Sequence, residues 1–74
     1  MYTFIIQDSK GSEMEYNHIV KVAYNTAAAT ITLEGDNIFT HMYQTHHDLH
    51  LFSETDAYTI SSNSIELIQV SKEI

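Results

Sequence analysis

Apolar and polar residues alternate along most of this chain with a period of two, the spacing of a strand that buries one face. The opening stretch is the clearest case. Tyr2, Phe4 and Ile6 fall on one side, and Thr3, Ile5 and Gln7 on the other. Turn-forming residues interrupt the alternation repeatedly. Each turn predicts a hairpin, and its register is judged by whether it gathers apolar residues on one face.

Ser9-Lys10-Gly11 makes a three-residue loop with glycine in the left-handed position. It pairs Asp8 with Ser12, Ile6 with Met14 and Phe4 with Tyr16, so Tyr2, Phe4, Ile6, Met14 and Tyr16 share a face. Residues 19–24 read as a further strand, with Val20, Val22 and Tyr24 on one side and Ile19, Lys21 and Ala23 on the other. It continues from the Met14–Tyr16 strand past a bend or bulge near Asn17-His18. Ala27-Ala28-Ala29 is too short to nucleate a helix and reads as the entry to the next strand.

Gly35-Asp36 suits a tight turn with glycine first. It pairs Leu33 with Ile38, Ile31 with Thr40 and Ala29 with Met42. A turn near Thr45-His46 pairs Met42 with Leu49, Thr40 with Leu51, His41 with His50 and Phe39 with Phe52. A turn near Thr55-Asp56 pairs Leu51 with Ile60 and Ser53 with Tyr58. One at Ser62-Asn63 pairs Ile60 with Ile65 and Tyr58 with Leu67. Together these registers predict a core face of Ala29, Ile31, Leu33, Ile38, Met42, Leu49, Leu51, Tyr58, Ile60, Ile65 and Leu67. The expected fold is a single all-β domain over residues 1–74, an antiparallel meander of six to seven strands curled into a barrel or sandwich. A helix over residues 64–73 is the alternative local reading, because Ile65, Leu67, Ile68 and Val70 fit both periods imperfectly.

Composition supports the strands. Ile, Val, Tyr, Phe and Thr make up more than a third of the 74 residues, and there is no proline to interrupt a ladder. A domain this small buries a modest core, and without cysteine it has neither disulfides nor thiolate metal sites to reinforce it. That leaves tight packing, association with another subunit, or an imidazole and carboxylate metal site. The start carries no basic leader and no apolar run long enough to cross a membrane, so a soluble, cytoplasmic protein is expected.

The net charge of −7 leaves Lys10, Lys21 and Lys72 as the fixed cations. Three scattered lysines cannot neutralise a row of phosphates, so neither direct nucleic-acid binding nor an anionic membrane is expected. The chain has no arginine to clamp a substrate phosphate or carboxylate and only two glycines, too few for a phosphate-binding loop. No serine lies in a nucleophile elbow. Catalysis is not expected.

Two groups of residues remain as candidates. His41, His46, His47 and His50 crowd around Asp48. With His41 across from His50, a zinc site of His41, His46, His50 and Asp48 is one reading; surface histidines or a pH-sensitive patch are the others. Phe39, His41, Tyr43, His50 and Phe52 gather on the reverse face of the sheet. They mark either an interaction surface or a face covered by the first hairpin of the same chain. The resulting expectation is a non-enzymatic acidic β domain acting through protein–protein contacts, a homo-oligomer with no cofactor beyond that zinc. Its build suits a small accessory protein of the kind phages and mobile elements encode. One alternative is an acidic, DNA-mimic inhibitor of a nucleic-acid enzyme, although the carboxylates fall mainly at turns. The other is a histidine metal-binding protein.

Overall fold

A computed structural model describes residues 1–74. Seven strands form two antiparallel sheets: β1 (Tyr2–Gln7), β2 (Glu13–Ile19), β3 (Lys21–Asn25), β4 (Thr30–Glu34), β5 (Leu49–Phe52), β6 (Ala57–Ile60) and β7 (Leu67–Lys72). One sheet has the order β2-β1-β7 and the other β4-β3-β5-β6. The chain is all-β but not a closed barrel. No helix is long and apolar enough to cross a membrane.

The first hairpin forms as its turn chemistry requires. Phe4 pairs with Tyr16 and Ile6 with Met14. Gly11 takes φ 84°, and the Asp8 carboxylate accepts the N–H groups of Lys10 and Ser12 at 2.9 Å each. The expected irregularity near Asn17-His18 is also present. The register slips between Tyr2 and Phe4, and His18 adopts φ 61°. Beyond it the chain passes from one sheet to the other at Val20, whose N–H donates to the Phe52 carbonyl at 2.8 Å. This change of sheet breaks the strict alternation, so Ile19 and Val22 are both fully buried.

The later registers differ from the meander. β4 pairs back onto β3, with Val22 opposite Leu33 and Tyr24 opposite Ile31. Residues 26–29 are the turn of that hairpin and not a strand entry. The Thr26 hydroxyl accepts from the N–H groups of Ala28 and Ala29, and the Thr26 N–H donates to the Ala29 carbonyl. After Gly35, at φ 61°, the chain winds into one helical turn, α1 (Asn37–Thr40). The Asp36 carbonyl accepts from Phe39 and Thr40, and the pairings of Ile38 with Leu33 and Met42 with Leu49 do not form. The turn drops Ile38 completely into the core.

β5 pairs with β3 and β6, so His50 lies opposite Ala23 and Thr59 and not opposite His41. The β5–β6 turn sits close to its expected place, but the register differs by two residues: Leu51 opposes Tyr58 and Leu49 opposes Ile60. An even shift preserves the buried face. Ser62-Asn63 does turn the chain, as a 3₁₀ segment capped by the Ser61 hydroxyl. It leads to the other sheet, where β7 pairs with β1 through Ile6–Ile68 and Phe4–Val70. Residues 67–72 are therefore strand and not helix, with faces opposite to those expected: Ile68 and Val70 pack on the core while Leu67 is exposed.

Tyr2, Phe4 and Ile6 from one sheet meet Val22, Leu49, Leu51 and Ile60 from the other, with Ile19, Ile38 and Ile65 completing the core. α1 touches both β4 and β7, and so bridges the two sheets along one side. On the other side the edge strands β2 and β6 meet through a single aromatic contact, Tyr16 on Tyr58, with ring centres 5.0 Å apart.

Candidate interaction surface

The residues expected to share one aromatic face are dispersed. Phe52 and His50 lie on the outer face of the second sheet, and Phe39 lies on α1. Phe39 and Phe52 are not a pair; each carries a lysine instead. The Lys72 ammonium sits 4.8 Å from the centre of the Phe39 ring, and Lys21 sits 4.7 Å from that of Phe52. Phe39 also stacks on Tyr2, whose hydroxyl donates to the Asp36 carboxylate at 2.7 Å. The hydrogen bond to Asp36 first, then burial and the negative charge of Asp36, raise the Tyr2 hydroxyl above its ordinary pKa. The first hairpin packs against the inner face of the second sheet and does not cover the Phe52 side.

His41 and Tyr43 belong to a different structure. The loop of residues 41–48 folds against β3, where the Tyr24 hydroxyl and His41 Nε2 lie 2.9 Å apart and His47 stacks on Tyr24. Tyr43 packs edge-on against Phe4 and donates to the Ile38 carbonyl at 2.7 Å. Burial pushes the Tyr43 hydroxyl well above the ordinary range, and nearby Tyr24 adds to the shift. It therefore stays a neutral donor that fastens the loop to α1.

His46, His47, Asp48 and His50 line one polar cleft with Asn25, and His41 lies outside it. Asp48 accepts the Ser62 N–H at 2.8 Å, and His50 Nδ1 is 3.1 Å from the Thr59 hydroxyl. No group of three or more His, Asp or Glu side chains is arranged to hold a metal ion. The zinc set of His41, His46, His50 and Asp48 depended on His41 facing His50, and the observed pairing of β5 removes that geometry.

The feature the sequence did not reveal is the seam between β2 and β6. One groove in it is lined by Ile6, Met14, Tyr16, Thr59 and Ile60, together with Asp8, Ser12, Ser61 and Ser64. A second is lined by Glu15, Asn17, His18, Glu54, Asp56 and Tyr58, together with Met1, Ser53 and Thr55. The Tyr16–Tyr58 contact separates them. β2 and β6 each stand at the end of their sheet, so each presents one row of backbone groups without a neighbouring strand. Alternation at Glu13-Met14-Glu15-Tyr16 was legible in the sequence. That this strand borders β6 depends on contacts with no local signal.

His18 anchors one end of the seam. Its backbone N–H donates to Glu73 Oε2 at 2.8 Å, and its ring Nδ1 lies 2.9 Å from Glu73 Oε1. The Thr3 hydroxyl donates to the same carboxylate. The His18 N–H is the largest influence on the Glu73 carboxyl; burial opposes it, and the Thr3 hydroxyl and the His18 ring add smaller lowering effects that together hold the group at about 2.

Neither a family model, a characterised protein nor a solved structure matches this chain.

Proposed function

We propose that this domain acts without catalysis, by binding another protein along the seam between β2 and β6. The observation that carries the reading is the pair of free sheet edges flanking a groove that holds both apolar and hydroxyl groups. A free edge offers backbone donors and acceptors in register, and a groove beside it selects side chains. The phenylalanines first read as an interface give weaker support, because each already carries a lysine of its own chain.

A photo-reactive residue tests this reading. Placed at Met14, in the seam and 60% exposed, it captures a discrete protein partner in the native host. Placed at Thr32, on the outer face of β4, it does not. Equal capture from both positions overturns the seam. Sedimentation at micromolar concentration tests the homo-oligomer; a chain that stays monomeric excludes a second copy as the partner.

A further inference from the structure

We infer that the partner's contribution is a basic, extended segment laid as an added strand along β2. This rests on the protein-binding reading above and names the chemistry of what binds.

Hydrogen bonding fixes which groups are free. The Asp8 N–H bonds the Ser12 carbonyl at 2.9 Å, which makes this a bonded pair of the hairpin. In an antiparallel ladder bonded and non-bonded pairs alternate, so Met14 and Tyr16 turn their backbone groups toward β1. Glu13 and Glu15 turn theirs outward, and an incoming strand finds donors and acceptors there at strand spacing. Side chains of that strand alternate between faces. One set reaches the hollow of Ile6, Met14 and Ile60, which suits an apolar residue.

Charge decides the occupant. Glu15, Glu54 and Asp56 line the second groove, and no lysine lines either groove. The one basic side chain there, His18, already faces Glu73 at 2.9 Å. A second copy of this chain brings another β2 edge bearing Glu13 and Glu15, within a molecule of net charge −7. Like charges on facing edges oppose such pairing, a common protection of exposed strands. A strand with lysine or arginine at alternate positions meets carboxylates instead and keeps its apolar residues for the hollow.

The test is amide-resolved NMR on the whole chain titrated with three synthetic, end-blocked eight-residue peptides: alternating Lys-Val, Thr-Val and Glu-Val. The Lys-Val peptide is expected to shift the amides of β2 and β6 selectively. Its affinity falls severalfold in the double variant Glu15→Lys, Glu54→Lys, and falls with added salt, because the attraction is between exposed charges. Both positions are exposed, and unchanged spectra away from the seam report intact folding. Lys-Val shifts scattered over the surface overturn the inference. Equal binding of the Thr-Val or Glu-Val peptide at the seam overturns the basic partner while leaving a protein-binding seam in place. If no peptide shifts the seam, strand addition is overturned, and capture at Met14 decides the wider reading separately.

Discussion

His18 occupies the left-handed region at φ 61°, where a side chain with a Cβ costs about 1–2 kcal/mol. The bulge needs that conformation to carry the strand from one sheet toward the other, and Glu73 holds it in place from both the backbone and the ring. This arrangement has a pH signature. The Glu73 carboxyl titrates at about 2 in the folded protein, against an ordinary 4.5. The unfolded chain therefore binds this proton more readily. The stabilisation from Glu73 is complete above the ordinary value and is lost as pH falls from 4.5 toward 2. Urea unfolding at a series of pH values is expected to show a shallower acid loss for Glu73→Gln in that window and lower stability near neutrality. Parallel curves for the two proteins overturn the assignment.

At the scale of elements, α1 is the segment whose conformation depends most on its surroundings. Ile38, Thr40 and Met42 alternate as a strand does, yet one helical turn forms, with Ile38 fully buried and Met42 89% exposed. Asp36 supports the turn on both sides: its carbonyl accepts from Phe39 and Thr40, and its carboxylate accepts from Tyr2. Removing a buried aliphatic side chain costs about 2–5 kcal/mol, a large fraction of the stability of a domain this small. Ile38→Ala is expected to fall in that range, and Met42→Ala within about 0.5 kcal/mol of the parent. Thermal or urea unfolding measures both. Equal losses contradict the helical turn and restore a strand with both residues facing the core.

For the molecule as a whole, the two sides where the sheets meet are unequal. α1 bridges β4 and β7, while β2 and β6 share the Tyr16–Tyr58 aromatic contact with a groove on either side of it. Hydrogen exchange reads this difference directly. Along β2, the amides of Met14 and Tyr16 are expected to exchange slowly and those of Glu13 and Glu15 fast. On β6, the Ser53–Asp56 bond that closes the turn sets the same alternation, so Tyr58 is slow and Thr59 fast. Uniform protection along β2 contradicts a free edge.

The sequence by itself determined what short-range chemistry controls. Alternation set the face of Tyr2, Phe4 and Ile6; glycine and the Asp8 side chain set the first hairpin; a break at Asn17-His18 marked the bulge. Each depends on groups a few residues apart. Local signals misled where two conformations kept Ile38 buried, and at Thr26, whose hydroxyl forms the turn that the alanines beside it obscured. Only the tertiary structure decided that β7 joins β1, that Ile68 and Val70 face inward, that His41 lies outside the cleft of His46, His47 and His50, and that β2 borders β6. These outcomes pair residues from opposite ends of the chain. They follow from the need of two sheets to cover each other's apolar faces, a condition that no single turn encodes.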